Sequence, residues 1–513
     1  MRTENSLRNL IAAFIGQLFG VIISFIARIF FIRYLGSEYL GLDGLFTNIL
    51  TILSLAELGV GSAMTFSLYE PIANNDKEKI KSLMRVYKLA YRLIGIIVII
   101  LGIGMLPIYR NFMNEVPDIA NLNIIFLLFA FNTAISYFYA YKKSLIVCDQ
   151  KKYITTIVKY ICYFILNALQ IVVLVITHNY ILFLICQVIF TFIENVVNSI
   201  KADKMYPYLK EKNIEKLDDK EKDKIKKNVF AMLFHKIGSV IVNSTDNIII
   251  SKYVGLIQLG LYSNYYMVTN ALVIITNQVF DAIVASVGNL GTTKDLKKIV
   301  TTFNRTFLLN FWIFGLLSCT LAVIFNDFIT IWLGEEYIFE IYTVYIIVIS
   351  FYLRGIRRSC ITFRDALGIF WYDRYKPVIE CIINIVVSII LAKTMGVMGV
   401  FIGTIISTVT TSLWVEPLVL YKYGFKEKLR EYFKKFTVYS FIGIIAFFVM
   451  NYICGLITEI SIISFILKGI ICVILFNIVF IFCLYRTEEF KYYLNFVKQL
   501  LVKIKNKISP KLV

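Results

Sequence analysis

Long apolar runs fill this chain, separated by short charged or Gly/Asn-rich breaks. A helix needs about 20 apolar residues to cross the hydrocarbon core of a bilayer. Windows near that length fall at about 9–33, 41–69, 86–108, 121–146, 154–176, 180–200, 229–252, 259–288, 303–325, 340–366, 376–393, 398–421, 436–457 and 463–484, about fourteen in all. The two-residue alternation of an outer-membrane barrel is absent, so the windows predict helices. The first window is too long for the apolar region of a signal peptide and carries Arg28 and Arg33 near its far end. It reads as a retained helix. The pattern therefore predicts an all-α polytopic membrane protein.

Composition agrees, and charge adds an orientation. Hydrophobic residues make up 58% of the 513 residues and charged ones 17%, yet the net charge is +19. A soluble enzyme, a disordered chain and a basic nucleic-acid-binding domain are all excluded, because none carries so much apolar surface. The basic residues cluster in alternate loops: Lys77, Lys79, Lys81 and Arg85, then Lys151 and Lys152, then 201–227, then Lys422 to Lys435, and finally the tail. An opposite loop is acidic (Asp327, Glu335, Glu336, Glu340). The positive-inside rule then places both termini in the cytoplasm. The nine cysteines are scattered without a CxxC pair, and neither His178 nor His235 has a ligand neighbour. No disulfide framework and no metal site are expected.

The chain repeats itself. Arg33-Tyr34-Leu35-Gly36 followed by Leu40-Gly41-Leu42 matches Lys252-Tyr253-Val254-Gly255 followed by Leu259-Gly260-Leu261 at a constant offset of 219. Asp149 and Lys152 echo Asp373 and Lys376 at an offset of 224. Six windows lie between the first two copies, so the halves share one orientation, as in parallel transporter repeats. The expected organisation is a six-helix lobe over 1–200, a charged cytoplasmic linker over 201–228 and a second six-helix lobe over 229–421. An extra hairpin over 422–485 and a basic tail over 486–513 complete it. The two lobes would flank a central cavity. The basic loops and tail serve orientation and attraction to anionic headgroups.

Polar residues inside apolar windows are the functional candidates, because placing them against lipid is costly. Gln17, Ser24 and Arg28 stand at i, i+7 and i+11, one stripe of a helix. Adding 219 gives Lys236, Asn243 and Asn247, with Asp246 beside them. Two readings stay open for these stripes: walls of a polar cavity, or interhelical hydrogen-bond seams. Arg354, Arg357 and Arg358 share one face by spacing, and guanidinium forks suit a diphosphate. Of these, Arg357 and Arg358 lie close enough to the cytoplasmic end to snorkel, leaving Arg354 as the deep one. Glu57 sits within the second window, where it either carries a coupling ion or neutralises Arg28 or Arg33. Asp246 and Asp281 pose the same choice in the second half. Glu194, Glu380 and Glu416 stand nearer helix ends and are expected to reach water. No Walker loop, cytoplasmic DxD pair or GxSxG occurs, which speaks against an enzyme.

The motifs also carry a resemblance. Arg28 and Arg33 with Tyr34-Leu35-Gly36, Gly41-Leu42 and Glu57-Leu58-Gly59 resemble the polysaccharide-biosynthesis (Wzx-type) flippases of the multidrug/oligosaccharidyl-lipid/polysaccharide exporter superfamily. The segments Trp371-Tyr372-Asp373 to Lys376-Pro377, Gly396-Val397-Met398-Gly399-Val400 and Trp414-Val415-Glu416-Pro417 are similar to its later half. The resemblance implies a bacterial inner-membrane flippase for undecaprenyl-diphosphate-linked oligosaccharide, working by alternating access and feeding capsule, exopolysaccharide or O-antigen assembly. It implies Arg28, and more weakly Arg33, as cavity cations. Lys236, Asn243, Asn247 and Arg354 rest on the stripe and spacing alone. No cofactor is expected beyond a proton or sodium gradient. Expected partners are the lipid-linked substrate, membrane lipids, and polymerase and glycosyltransferase enzymes, around a monomer that binds no nucleic acid. Fourteen windows keep a lipid II flippase open as an alternative, as is a membrane-embedded glycosyltransferase or polymerase.

Overall fold

The computed structural model describes residues 2–508, except 55–56, 212–216, 220, 224, 227–228, 230–243 and 293–294. The described residues are almost entirely helical, with no strand among them. Chain contacts group into two compact units, Met1–Ser263 and Asn264–Val513.

Unit 1 begins with α1 (Arg2–Leu53), whose two helical arms meet at a reversal on Gly36, where φ is +85°. Only glycine takes that value without strain. Then come α2 (Glu57–Ala73), α3 (Lys77–Met105), α4 (Leu122–Phe138), α5 (Ala140–Cys148), α6 (Lys152–Thr177), α7 (Tyr180–Met205) and a helical run α8 over 244–253. α4 and α5 bend by 47° at a one-residue break. Tyr87, Tyr91, Leu83 and Val98 of α3 pack with Leu145 and Ile146 of α5 in a continuous core. Asp76 caps α3 by accepting from the Lys79 amide at 3.0 Å, and Asn179 caps α7 by accepting from the amides of Ile181 and Leu182. Each cap satisfies donors that a helix N-terminus otherwise leaves open.

α9 (Leu256–Thr292) follows Gly255, at φ +130°. Gly255 is Gly36 plus 219, so both copies of the motif carry a positive-φ glycine at this point. Unit 2 continues with α10 (Leu296–Leu333), α11 (Ile341–Ile356), α12 (Arg358–Ala366), α13 (Lys376–Ser407, reversing at Gly396) and α14 (Leu413–Val419). α15 (Leu429–Gly455), α16 (Ile462–Leu484) and α17 (Glu488–Ile508) complete it. α10 is the spine: Phe303, Phe307 and Phe311 pack with Tyr432 and Tyr439 of α15 and with Phe476 and Phe480 of α16. The terminal hairpin is therefore built into the unit. Lys468 of α16 donates to Asp327 of α10 at 2.7 Å, adding a buried polar tie.

Eight described helical segments are long and apolar enough to cross a membrane, or nine with the bent pair. Two of these are 43 and 55 residues long, each containing a glycine reversal, so one segment accounts for more than one apolar window. Outward faces carry Phe441, Phe448, Tyr452, Ile463 and Phe482, all strongly exposed. A surface of that composition is stable against lipid. The chain is a polytopic all-α membrane protein.

Candidate functional site: buried charge in each unit

In unit 1 the α1 stripe is held against α6 by the absence of side chains at Gly16 and Gly20. A Cβ at Gly20 would stand 2.8 Å from the Tyr160 ring, and one at Gly16 would overlap it. Glycine lets the two helices approach, as small residues do in membranes. The Tyr160 hydroxyl then donates to Gln17 Oε1 at 3.0 Å, and Ser24 shares a 2.5 Å bond with Tyr163. Gln17 and Ser24 are thus part of an α1–α6 seam.

Arg28, one turn further, turns elsewhere. Its Nη1 donates to Ser263 Oγ at 3.2 Å, and it lies within electrostatic range of Tyr163 and of Asp43 in the second arm of α1. Tyr180 at the start of α7 donates to Asp43 Oδ1 at 3.4 Å. A cation, a carboxylate and three hydroxyls thereby converge at one level of unit 1. Arg33 is exposed at the end of the first arm. Asp246 is buried in α8, and Asn247 beside it is partly buried. Lys236 and Asn243 lie outside the described residues.

Of the two readings open for Glu57, the charge-pairing one fails. It accepts from the Tyr91 hydroxyl at 3.0 Å, and Tyr91 neighbours Tyr87, which reaches Ser144 at 3.1 Å. Among the described residues no Lys or Arg stands within ion-pair distance of it, so it does not neutralise Arg28 or Arg33. The reason is geometric: Glu57 opens α2 on the side that packs against α3. Glu194 is paired with Lys143 at 2.8 Å, in a partly exposed contact.

Close by, the repeat motifs meet. A Cβ on Gly41 would overlap the carbonyl oxygen of Leu256, and a Cβ on Gly260 would overlap that of Ser37. Leu256 is Ser37 plus 219 and Gly260 is Gly41 plus 219, so the contact is reciprocal. The two copies of the motif pack backbone to backbone through their second glycines. Nearby, the Asn114 amide donates to Ser251 O at 2.9 Å, and Lys252 reaches Met113 O.

In unit 2 the three arginines do not share a face. The helix breaks between Ile356 and Arg358, so the i, i+3, i+4 spacing spans two segments, α11 and α12. Arg354 is exposed. Arg358 donates to Asp281 of α9 at 2.6 Å. Arg357, expected to snorkel to the surface, is instead turned inward: its Nε and Nη2 donate to the two Glu416 oxygens at 3.0 and 2.7 Å. Its Nη1 reaches Glu380 at 3.4 Å. Lys376 also pairs with Glu416, and Ser412 donates to Glu380 Oε2 at 2.5 Å. Glu380 and Glu416 are 7% and 1% exposed, so the expectation that they reach water is wrong. Arg357, Lys376, Glu380 and Glu416 carry two charges of each sign. Such balance is what makes burial tolerable. Arg364 and Asp373 extend the cluster at 2.6 Å.

Sequence reasoning missed Asp43, Ser263 and Tyr163 as partners of the α1 stripe. Asp43 stands in a short polar gap between apolar stretches, and nothing in its spacing from Arg28 signals the hairpin that brings the two together. Glu416 and Arg357 are 59 residues apart, and their pairing is equally silent.

By sequence, no protein-family model and no curated protein matches this chain. By structure, it is similar to the lipid II flippase MurJ in an inward closed conformation, at TM-score 0.68 and 15% identity, over 92% of this chain and 98% of that one. An inward-facing multidrug resistance MATE transporter of the MOP superfamily aligns at TM-score 0.63 and 14% identity over 79% of this chain and 96% of that one. A point mutant of the Vibrio cholerae MATE transporter VcmN aligns at TM-score 0.55 and 13% identity, over 83% of this chain and 99% of that one. The chain shares the fold of these flippase and transporter structures. These neighbours are not enzymes.

Proposed function

We propose that this chain is a flippase that carries a polyprenyl-diphosphate-linked oligosaccharide across the membrane by alternating access. The observation that carries the reading is Arg28: a cation inside an apolar helix, positioned by Asp43 and Ser263 in a fold of transporters. An arginine at membrane depth marks a site for an anionic group, and a diphosphate matches the guanidinium fork. Arg354, exposed in the last turn of an apolar helix, supplies an accessible cation in unit 2. A cavity for cationic drugs would instead need an acidic surplus, which disfavours an antiporter. Undecaprenyl-diphosphate-linked repeat units of a surface polysaccharide are the substrate class, and the cytoplasmic leaflet of a bacterial inner membrane is the starting side. Polymerase and glycosyltransferase enzymes would act on either side of this step.

A second reading, a lipid II flippase, is favoured by one observation: the MurJ alignment extends over 92% of this chain, against 79% for the MATE transporter. Both substrates present a diphosphate, so they differ in the head group attached beyond it. The test is reconstitution of purified protein in liposomes holding either fluorescent lipid II or a fluorescent polyprenyl-diphosphate oligosaccharide. Wild-type protein should expose the oligosaccharide probe to an external reductant, and Arg28→Ala should not, with equal protein in the vesicles. Transport of lipid II alone would shift the assignment to the second reading. Full transport by Arg28→Ala would refute the role given to Arg28. Glu57, Asp246 and Asp281 are the candidates for coupling to a proton or sodium gradient. Transport that continues with both gradients collapsed would remove them.

A further inference from the structure

The last helix has no part in the flippase reading, yet it is built unlike any span before it. α17 begins four residues after the end of α16, whose Ile478 and Phe482 are 57% and 78% exposed and therefore lipid-facing. The start of α17 thus lies at the membrane–water boundary, beside the exposed Tyr485 and Arg486. Along it Phe490, Tyr493, Leu494 and Val497 recur at i, i+3, i+4 and i+7, the stripe of an amphipathic helix. In sequence the spacing continues at Leu501, Ile504 and Ile508. Lys491 and Lys498 fall beside the stripe, and 488–508 holds five lysines against two glutamates.

The two ends of the stripe have different surroundings. At the root, Phe490 and Tyr493 pack against the unit 2 core. The Tyr493 hydroxyl donates to Arg305 O at 3.1 Å, the Arg305 guanidinium lies 3.7 Å from the Tyr492 ring centre, and Lys435 donates to Glu489 at 2.6 Å. One turn further, Leu494 and Val497 remain on the same stripe but are 45% and 49% exposed. The root fixes where the helix starts, and the outer part carries apolar side chains edged by lysines.

We infer that α17 lies in the plane of the bilayer surface, with Leu494 and Val497 at the headgroup–acyl boundary and Lys491 and Lys498 on anionic lipid headgroups. Three features select a lipid surface as the occupant. The helix is anchored at the boundary by buried contacts. Its stripe runs on from a lipid-facing helix. Its charge is positive on lysine, a flexible point charge suited to headgroup phosphates that present no fixed geometry.

The test uses full-length protein in which the exposed Cys483 is replaced by serine and a single environment-sensitive fluorophore is attached at Val497→Cys. The protein is reconstituted in phosphatidylcholine vesicles with and without phosphatidylglycerol. A fluorophore at Ile478→Cys, on the lipid-facing side of α16, reports that the hairpin has folded. With phosphatidylglycerol present, the probe at 497 should be quenched by lipid-borne nitroxide and shielded from acrylamide. Replacing Lys491, Lys498 and Lys503 together by Gln should lower the nitroxide quenching several-fold while leaving the probe at 478 unchanged. The inference is overturned if the probe at 497 stays open to acrylamide in phosphatidylglycerol vesicles while 478 is lipid-quenched. It is equally overturned if the lysine replacements have no effect, or if cross-linking through 497 yields a dimer of this chain.

Discussion

The reciprocal contact of Gly41 and Gly260 can be tested by one methyl group. In Gly41→Ala the added carbon would overlap the Leu256 carbonyl oxygen and stand 2.8 Å from its carbon and 3.1 Å from its Cα. All of these are backbone atoms at the start of α9, so no rotamer change relieves the clash. The two hairpins must separate by a large part of an ångström. Overpacking of that kind costs about 1–3 kcal/mol. If the packed arrangement is one of two states of a transporter, the whole penalty falls on that state. A differential of about 1–3 kcal/mol changes the ratio of states by roughly 5–150-fold. Gly260→Ala, against the Ser37 carbonyl, should produce the same effect, because the geometry is mirrored at the offset of 219.

Leu259 is 1% exposed and rests against Gly44, so a cysteine there reports separation of the hairpins. In a Leu259→Cys background, either alanine should raise the labelling rate by a membrane-impermeant maleimide by an order of magnitude. Gly36→Ala is the control. It has open space around its Cβ but a φ of +85°, so it strains the turn without wedging the contact. Unchanged labelling in both Gly41→Ala and Gly260→Ala, with unchanged thermal stability, would show that the backbones are not in contact. Lost stability without faster labelling would make the contact a static one and refute the two-state argument.

Other outcomes follow from the buried charges. Glu416→Ala removes the carboxylate shared by Arg357 and Lys376 and leaves the cluster with an unmatched buried positive charge, and thermal unfolding in detergent should report a loss of about 3–5 kcal/mol. The double variant Arg357→Met, Glu416→Leu should lose less than the sum of the two single variants, whereas additive losses would mean the pair is not a coupled buried unit. Asp43→Asn removes the charge that faces Arg28 but keeps an acceptor for Tyr180. It should slow vesicle transport at constant protein level, and wild-type rates would show that Asp43 does not set the state of Arg28. The Glu489 carboxyl is pushed up by burial, but the hydrogen bond from Lys435 and the nearby cations outweigh this and hold it below its ordinary value of 4.5. A carboxyl depressed in the folded state stabilises it above that ordinary value and stops doing so as pH falls through the lower folded value. Hydrogen exchange over 488–494, corrected for intrinsic rates, should therefore rise below about pH 4.5. For a half-buried pair the effect is about 0.2–1 kcal/mol, and exchange independent of pH would refute the contact.

How much of this was legible in the chain depends on the range over which a signal acts. The membrane class and the repeat are local or periodic properties, and both are read directly. Gly36 and Gly255 show why: a motif repeated at 219 residues places a positive-φ glycine in both copies, because only the local backbone is involved. The three arginines near 354–358 show the limit. Spacing places them on one face only while the helix continues, and the break after Ile356 turns Arg357 toward a carboxylate on α14. The polar seam of Gln17 and Ser24 was visible as a stripe, but the partners that give it meaning, Tyr160 and Tyr163, sit on a helix more than a hundred residues later, at separations of 143 and 139. A buried charge announces in sequence that it must have a partner, since burial without one is too costly. It does not announce which residue that is. Arg28 and Arg357 are equally arginines in apolar surroundings, and the fold separates them. Arg357 is held by two carboxylates and fixes structure, while Arg28 faces Asp43 and a set of hydroxyls, the setting on which its proposed role toward a diphosphate rests.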